Sequence, residues 1–544
     1  MKAKKIFKGM TAAAIAAVLA ASMVPMTAFA AVTSESKTIT VNTASGYENV
    51  TGSWTAYKVA TATPNGNAYD YEWVTSLDTI VTSLPTIAEI SNTTWTDAQT
   101  KALAAKITKA LNDNSTFANN LTQYTKALGT TDNLEPGYYV FVITATKDNG
   151  GVKEGLIIEP VLREVSDKNF TNVTAKFKTV TVDKSITGIT DGSKDASGNI
   201  AEGTADSVVS YEIKADFPTY DDDVKTSGSI EDFIIADQPG ANLSIITSTI
   251  KVYEKNGSTE IPATSESGAN YTLDSADTNA SYGGKNSGTG FKITFDDAYV
   301  LNNQGSGIVV KFDATIAGTG AIETAIPNDV QLDYGNNYST GGGKVTLKDE
   351  TDVYKTQLKV AKTKSDSSAL AGAGFKIYSA DIIRVGEEYK KITDIADFST
   401  NYTTDTDGFI YAKSDTNKAT VLNQLVGNEK VTTDVNNILT WNLPAGKYII
   451  HESTVPTNYK QAENREVTIT ATANREATAY TYTKTGLNDD TTNTATIINY
   501  EGQTLPGTGG VGTTIFTIAG VGVVLVAGAM LVVYMRKRRT EDEE

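Results

Sequence analysis

Three polar residues close apolar strands in the last third of the chain. Lys362 follows Leu358 and Val360 at alternating positions, so the three side chains share one face of a strand. The same alternation puts Glu452 and Asn499 on the apolar faces of two further strands. Because burying a lone ammonium or carboxylate is expensive, we expect the three polar groups to meet in the core.

An amine, a carboxyl group and a carboxamide that share a dry site can react with one another. Removal from water favours the neutral forms of the amine and of the acid. The acid then polarises the carboxamide, the Lys362 amine attacks Asn499, ammonia leaves, and an intramolecular isopeptide bond remains. By analogy with a disulfide that closes a loop of about 100 residues, such a bond contributes several kcal/mol. The alternative is three partly exposed polar residues at strand ends.

A second set of residues repeats this pattern in the middle of the chain. Lys184, Asp237 and Asn328 each share a strand face with large apolar residues. They predict a second isopeptide bond, between Lys184 and Asn328. Asp237 is the first candidate for the acid, and Glu212 and Asp313 are alternatives.

Short alternating runs separated by turn residues must position these groups, a pattern typical of β-sandwiches. The runs are Lys37–Val41, Tyr138–Ile143, Val180–Lys184, Phe233–Asp237, Phe291–Phe295, Leu358–Lys362 and Tyr448–Glu452. One helix interrupts them, with a capping box at Thr96 and Gln99 and apolar residues on one face afterwards. We predict an all-β chain of three tandem immunoglobulin-like β-sandwich domains, the first with a helical insertion. The predicted domains cover residues 31–178, 179–350 and 351–500.

Composition excludes several classes of protein. The chain has 544 residues, no cysteine, one histidine and a formal net charge of −17. Without cysteine there are no disulfides, thiolate metal sites or cysteine nucleophiles. The acidic balance argues against nucleic-acid binding, which needs a basic face. We expect no metal and no cofactor, and no enzyme in the ordinary sense.

Both ends of the chain carry targeting signals. Residues 1–30 combine lysines, an apolar stretch and Ala28-Phe29-Ala30, which predicts a secretory signal peptide cleaved after Ala30. Near the other end, Leu505-Pro506-Gly507-Thr508-Gly509 precedes an apolar run from about Ile515 to Tyr534 and a basic cluster. The run is long enough to cross a membrane, so we also predict a transmembrane segment.

The pentapeptide, apolar run and basic cluster together resemble the cell-wall sorting signal of Gram-positive surface proteins. The resemblance implies that residues 501–544 are this signal, and that a sortase cuts between Thr508 and Gly509 and transfers the Thr508 carbonyl to an amine. It also implies a secreted protein that is anchored to the cell wall.

A second resemblance concerns the C-terminal domain. The stretches 358–362, 370–378 and 443–452 are similar to the collagen-binding-protein B-type repeat that forms the last domain of sortase-assembled pilins. The last stretch corresponds to the pilin E-box, which implies that Glu452 is the catalytic acid. The middle domain resembles the isopeptide-forming domain of major pilins, which implies Lys184 as nucleophile, Asn328 as acceptor and Asp237 as acid. In the first domain Ile143 stands where Glu452 would be, so we predict no bond there.

The resemblance also implies an acceptor lysine for the Thr508 carbonyl of the next subunit. In the family this lysine ends a motif of the form Val-x-Val-Tyr-Pro-Lys, and the corresponding stretch is 173–178, without the Tyr-Pro pair. Alternation buries the odd-numbered residues of this stretch and leaves Lys176 and Lys178 exposed. Alignment to the final lysine favours Lys178, and Lys176 and Lys168 are alternatives.

The function implied is that of a backbone subunit of a sortase-polymerised surface pilus that supports adhesion. Its implied partners are pilin-specific and housekeeping sortases, identical pilin subunits, minor pilins and peptidoglycan. The alternative is a monomeric wall-anchored adhesin, or a minor pilin, with the same domain types. A third class, a secreted hydrolase, needs an inward acid pair or a nucleophile with its base.

Overall fold

A computed structural model describes residues 32, 34–48, 50–147, 153–166, 172–220, 230, 233–262, 270–277, 287–335, 344–474 and 479–502. The chain divides into two compact units, Met1–Thr356 with Ala471–Thr481, and Gln357–Thr470 with Tyr482–Glu544. Strands dominate both units, which confirms the all-β class. The predicted signal peptide and the sorting pentapeptide lie outside the described residues.

The N-terminal part of the first unit is built around a sheet that is buried on both faces. Its strands are β1 Lys37–Asn42, β2 Val50–Asn65, β3 Ala68–Trp73, β4 Gln123–Ala127, β5 Thr131–Leu134, β6 Gly137–Lys147, β7 Lys153–Glu159, β8 Val161–Val165 and β9 Asn172–Thr174. One sheet has the order β3-β2-β6-β8 with β4 also on β2, and a smaller one has the order β5-β1-β9. Along β6, Tyr139 and Phe141 pack between the two sheets, whereas Val140 and Val142 pack on the helices. This two-sided burial explains the nearly continuous apolar run of β6.

The predicted helix is present and covers the outer face of that sheet. It spans Asp97–Asp113, and Thr96 and Gln99 form the capping box. Leu103, Ile107 and Leu111 are buried on its inner side, as the 3.6-residue period requires. The shorter helices are Leu77–Ile80, Ile87–Ile90 and Ser115–Asn119.

The middle of the chain forms a larger sandwich within the same unit. Its strands are β10 Lys176–Ile189, β11 Ser193–Lys194, β12 Ile200–Gly203, β13 Val208–Asp216, β14 Phe233–Pro239, β15 Leu243–Glu254, β16 Tyr271–Asp277, β17 Gly290–Phe295, β18 Gly307–Ile316, β19 Ile326–Gly335 and β20 Lys344–Lys355, with a helix at Asp297–Asn302. The two sheets have the orders β15-β18-β13-β10-β7 and β11-β12-β20-β19-β14-β17-β16. One apolar core lies between them and includes Val180, Val182, Ile213 and Phe291.

Strand β10 connects the first and middle parts without a break. It starts at Lys176, pairs with β7 over its first half and with β13 over its second half. Phe177 packs in the N-terminal core and Val180 in the middle core. The domain boundary predicted after Lys178 therefore falls inside a strand, and the boundary predicted after residue 350 falls inside β20.

The second unit is a smaller sandwich, and two of its strands run on into Ala471–Thr481, which groups with the first unit. Its strands are β21 Leu358–Lys364, β22 Gly374–Val385, β23 Glu388–Lys391, β24 Tyr402–Thr404, β25 Ile410–Ala412, β26 Asn423–Val431, β27 Ile438–Trp441, β28 Gly446–Thr454, β29 Arg465–Asn474, β30 Ala479–Thr485 and β31 Thr494–Asn499, with short helices at Ile392–Asp394 and Phe398–Asn401. One sheet has the order β27-β21-β31, and the other β23-β22-β28-β29-β30 with β26 also on β22. Leu358, Val360, Phe375 and Ile450 are among the residues of the core between them.

Candidate functional site

The first candidate site lies between the two sheets of the C-terminal unit. Lys362 is on β21 and Asn499 is on β31, which runs parallel beside it, with Lys364 opposite Asn499. Glu452 reaches the same point from β28 in the facing sheet. Each of the three residues follows apolar residues on the inward face of its strand. Because side chains alternate between the two faces, the polar group also points into the core.

The three groups form a hydrogen-bonded chain. The Lys362 ammonium donates to Asn499 Oδ1 at 2.7 Å and to the Ile497 carbonyl at 3.0 Å. Asn499 Nδ2 donates to Glu452 Oε1 at 2.7 Å, and the Ala462 amide donates to Glu452 Oε2 at 2.7 Å. The amine therefore lies against the amide oxygen, and the carboxyl group lies against the amide nitrogen.

The three hydrogen-bonded side chains are almost completely buried. Lys362 is 0% exposed, and Glu452 and Asn499 are each 1% exposed. Burial lowers the pKa of the Lys362 ammonium to about 8, against the opposing effect of the Glu452 charge. A substantial fraction of this amine is neutral at slightly alkaline pH, and only the neutral amine is a nucleophile.

The second candidate site lies in the middle sandwich, with a different distribution over the sheets. Lys184 is on β10 in one sheet, and Asp237 on β14 and Asn328 on β19 are in the other. Asp237 lies opposite Val330 and Pro239 lies opposite Asn328. Asp237 and Asn328 are therefore diagonal neighbours on one face, and Lys184 approaches them from the facing sheet.

An ion pair dominates this second site. The Lys184 ammonium contacts the Asp237 carboxylate, and both side chains are fully buried. Burial raises the pKa of the Asp237 carboxyl to about 6, although the Lys184 charge opposes the shift. Burial also lowers the pKa of the Lys184 ammonium, with Asp237 opposing. Both shifts favour a neutral amine beside a protonated acid.

The Asn328 amide is next to this pair. Asn328 is buried, and it interacts with the Asp237 carboxyl and with the Tyr211 hydroxyl. Among the described residues, neither amide atom of Asn328 makes a hydrogen bond of regular geometry, and neither does the Tyr211 hydroxyl. Three buried polar atoms therefore lie together without the saturated bonding of the C-terminal site.

The alternative acids of the middle domain are on the wrong faces. Glu212 pairs with Lys214 at 2.7 Å and with Lys311 at 3.8 Å. Asp313 follows Phe312, whose ring faces the Lys184 ammonium, so the Asp313 side chain lies on the opposite face of β18. Of the three candidates, only Asp237 contacts Lys184 in the part of the chain that the structure describes.

In the first domain, an aliphatic residue occupies the position that corresponds to Glu452. Ile143 is buried in the core between the two N-terminal sheets, with Phe141 and Trp54. An aliphatic side chain there supplies no acid.

The candidate acceptor lysine lies beside a buried carboxylate. Lys178 Nζ is 2.8 Å from Glu159 Oε1, and its side chain is 31% exposed. Lys101, from the long helix, is 3.4 Å from the other Glu159 oxygen. Burial raises the pKa of the Glu159 carboxyl, but the hydrogen bond and charge of Lys178 and the charges of Lys101 and Lys176 outweigh it and hold the pKa below its usual range. Lys176 is exposed, and Lys168 lies outside the described residues.

Two residues of these sites were missed by sequence reasoning. Glu159 ends the apolar run of β7, so the same parity argument that selected Lys362 indicates an inward carboxyl there. Tyr211 shares a face with Val209 and Ile213 and is read as an ordinary core residue. Nothing in its spacing marks the hydroxyl, because its neighbour Asn328 comes from a distant strand.

Comparisons with known proteins identify two regions of the chain. A family model described as the SpaA prealbumin-like fold domain matches residues 356–485. A second, described as the LPXTG cell wall anchor motif, matches residues 498–542. No curated protein matches the chain. The two families are structural ones, and the anchor motif identifies a cell-wall-anchored surface protein and a sortase substrate.

Two solved pilin structures are similar to the chain. The T6 backbone pilin of serotype M6 Streptococcus pyogenes, which has a modular three-domain structure, is 15% identical with a TM-score of 0.51, covering 86% of this chain and 98% of that chain. The full-length major pilin SpaD from Corynebacterium diphtheriae is 16% identical with a TM-score of 0.46, covering 86% of this chain and 98% of that chain. The resemblance to sortase-assembled backbone pilins is confirmed by the two family matches and the shared fold.

The classification as a transmembrane protein is wrong. The anchor motif matched at residues 498–542 implies attachment to the cell wall. None of the helices that the structure describes is long and apolar enough to cross a membrane. The apolar run from about Ile515 to Tyr534 lies outside the described residues. A long apolar run by itself does not separate an anchor from a sorting signal.

Proposed function

We propose that the chain is the shaft subunit of a sortase-polymerised surface pilus. One observation carries the proposal: a chain that covers 98% of a backbone pilin's fold also carries an LPXTG wall anchor motif. A head-to-tail polymer needs a carbonyl donor and an amine acceptor on each subunit. The donor is Thr508 of the sorting pentapeptide, and the acceptor is Lys178.

The position of Lys178 supports its role as acceptor. Its ammonium is held by Glu159 at 2.8 Å, yet about a third of the side chain reaches solvent. A lysine with a fixed position and an open side suits an enzyme that must bring a carbonyl carbon to one nitrogen. Lys176 on the same strand is more exposed and is the matched alternative.

Two internal isopeptide bonds would strengthen each subunit. In the C-terminal unit, the neutral Lys362 nitrogen attacks the Asn499 carbonyl carbon. The Glu452 carboxyl delivers a proton to the departing amide nitrogen that it contacts and recovers one from the new linkage nitrogen. In the middle sandwich, Asp237 takes the proton of Lys184, and the neutral amine attacks Asn328. Ammonia leaves in both reactions. We propose no such bond in the first domain.

The resulting function is mechanical. The bonds between subunits and within them give a fibre that resists force and proteases and carries adhesins away from the cell. Pilin-specific and housekeeping sortases, minor pilins and peptidoglycan are the proposed partners.

The test is an immunoblot of cell-wall material released by muramidase and boiled in detergent. Wild-type cells are compared with Lys178→Ala cells and with Lys176→Ala cells as the matched control. We expect a high-molecular-weight ladder in the wild type and the control that collapses to a monomer in Lys178→Ala. A ladder that survives in Lys178→Ala keeps the shaft but moves the acceptor to Lys176 or Lys168. A single band in every strain contradicts the shaft and favours a monomeric wall-anchored adhesin.

A further inference from the structure

We infer that Tyr211 is a catalytic residue of the middle-domain cross-link. When Lys184 attacks, the Tyr211 hydroxyl donates a hydrogen bond to the Asn328 oxygen and stabilises the negative charge that develops there. The inference rests on the proposed function, because it requires that the Lys184–Asn328 bond forms.

The position of Tyr211 puts its hydroxyl into the reaction site. Tyr211 lies on β13, where it is opposite Ile186 of β10, two residues beyond Lys184. The Lys184 ammonium is 5.2 Å from the centre of the Tyr211 ring. Tyr211 is only 1% exposed, so its hydroxyl cannot hydrogen-bond to bulk water.

Among the described residues, no group donates a regular hydrogen bond to the Asn328 amide oxygen. In the C-terminal site Lys362 donates to the Asn499 amide oxygen, whereas in the middle site the Lys184 ammonium is engaged by Asp237. The Tyr211 hydroxyl, both amide atoms of Asn328 and the second carboxyl oxygen of Asp237 are buried, and none of them has a regular hydrogen-bond partner in this part of the chain. Unsatisfied buried polar groups are costly, so this arrangement calls for a function.

The protonation state of Tyr211 suits a donor. Burial and the nearby Asp237 charge hold the pKa of its hydroxyl well above the usual value, although the interaction with Asn328 opposes the shift. The hydroxyl therefore keeps its proton at neutral pH. A neutral donor beside a developing oxyanion in a dry site can stabilise a tetrahedral intermediate once the carbonyl oxygen turns toward it.

The step balances with groups already in the site. The Lys184 ammonium gives one proton to the Asp237 carboxylate, and its nitrogen bonds to the Asn328 carbonyl carbon. The carbonyl electron pair moves to the oxygen, where the Tyr211 O–H stabilises it. When the pair returns, the bond to the amide nitrogen breaks; Asp237 passes a proton to that nitrogen and recovers one from the new linkage, and ammonia leaves.

The alternative role for Tyr211 is packing alone. Its ring stacks on Phe312, with centroids 5.0 Å apart and an interplanar angle of 13°. Tyr211→Phe keeps this ring and the contact with the Lys184 ammonium, and it removes only the hydroxyl. The substitution therefore separates the two roles.

The experiment follows bond formation in the full chain as it refolds from urea-solubilised inclusion bodies. Samples are quenched over time, and the two cross-linked peptides are quantified by mass spectrometry. We expect Tyr211→Phe to slow the Lys184–Asn328 bond by about 100-fold, the effect of losing one oxyanion donor, while the Lys362–Asn499 bond forms at its normal rate. Tyr253→Phe, on β15 of the same sheet, is the control and leaves both rates unchanged.

Each outcome decides between explanations. A Tyr211→Phe chain that forms the middle bond at the wild-type rate overturns the inference. A wild-type chain that never forms the middle bond overturns the proposed cross-link itself. Circular dichroism on the same samples reports folding, and the pH profile gives a second test in the folded fraction. Loss of the hydroxyl lowers the maximum rate without moving the pH midpoint, whereas displacement of the Lys184–Asp237 pair moves the midpoint and contradicts the inference.

Discussion

The two proposed cross-link sites contain the same three functional groups in different arrangements. In the C-terminal unit the amine and the carboxamide are on neighbouring strands of one sheet, and the acid comes from the facing sheet. In the middle sandwich the acid and the carboxamide share a sheet, and the amine comes from the facing one. The proposed chemistry would therefore depend on a buried point where the three groups meet rather than on a fixed strand order.

The arrangements have different mechanical consequences. The C-terminal bond would join β21 to β31, the first and last strands of the unit, side by side. The middle bond would join the two sheets through the core. A force that separates the ends of the C-terminal unit would load its bond directly, whereas the middle bond would resist separation of the layers.

Electrostatics also distinguish the sites. Asp237 contacts the attacking amine, whereas Glu452 contacts the amide that is attacked. The middle reaction would therefore begin with a proton transfer inside an ion pair. The C-terminal reaction would begin with an amine that has already lost its proton to solvent.

The largest expected effect is that of Lys184→Met. The variant loses the middle bond and retains the mass of one ammonia. Loss of a covalent loop of this size costs about 4–5 kcal/mol by the disulfide analogy. The Asp237 carboxyl is also left buried without its hydrogen-bond partner on residue 184, which costs about 1–3 kcal/mol more. Intact mass and calorimetry of the recombinant chain measure both changes.

Lys214→Met, which removes an exposed lysine from β13 in the same sheet, is the control for this prediction. It should leave the number of ammonias lost and the unfolding temperature unchanged. A Lys184→Met chain that loses as many ammonias as the wild type would show that another lysine, or no lysine, forms the bond.

Lys362→Met has a smaller expected effect, and the difference sharpens the comparison. The variant loses the C-terminal bond, at a cost of about 4–5 kcal/mol. Glu452 keeps its contacts with the Asn499 and Ala462 amides, so its buried carboxyl group stays hydrogen-bonded. The free energy of unfolding of each unit, from urea titrations, should therefore fall less than for Lys184→Met.

Lys359→Met is the matched control, because Lys359 is on β21 but on its other face. In this variant the C-terminal bond should form as in the wild type, and the free energy of unfolding should be unchanged. Equal losses of stability in Lys184→Met and Lys362→Met would remove the electrostatic distinction between the sites.

The pH dependence of bond formation should separate the sites without any mutation. The C-terminal bond needs a neutral amine, and the Lys362 pKa is about 8, so its rate should rise about tenfold per pH unit up to about pH 8 and then level off. The middle bond needs one proton shared between Lys184 and Asp237. That form appears as pH rises through the Asp237 pKa of about 6. The rate of the middle bond should therefore increase with pH over a lower range than the rate of the C-terminal bond. Refolding at pH 5 to 9, with each cross-linked peptide quantified, measures both profiles, and coincident midpoints would contradict the assignment.

The sequence predicted the faces of the strands better than the contacts between them. Alternation alone placed Lys362, Glu452 and Asn499 inward, because a two-residue period leaves only two choices per position. It could not show that Asp237 contacts the amine while Glu452 contacts the amide, since these distances depend on how two sheets pack. The long helix was also predictable, because its capping box and apolar period are local signals.

The boundary between the first two predicted domains shows a different limit. A change in composition suggested a break after Lys178, but β10 continues through this point. Its residue Phe177 packs in the N-terminal core, and Val180 packs in the middle core. Because one strand packs in two successive cores, no flexible linker separates the two domains, and the sequence carries no linker signal at the boundary. The Glu159 contact with Lys178 was missed for the same reason, since it arises where the two cores meet.

The smallest expected effect is that of His451→Gln, which tests whether the face of β28 decides function. His451 is the neighbour of Glu452 in sequence, but its Nδ1 is 2.8 Å from Asn464 Oδ1 and its ring packs near Phe409, outside the site. The substitution removes one neutral hydrogen bond and some packing, so we expect a loss of about 1 kcal/mol and a C-terminal bond that forms at the wild-type rate. Glu452→Gln, one residue away, should slow that bond by about 100-fold or more because the general acid is lost. Cross-linked peptide yields from parallel refolding measure both, and a slow bond in His451→Gln would mean that the histidine takes part in the proton transfer.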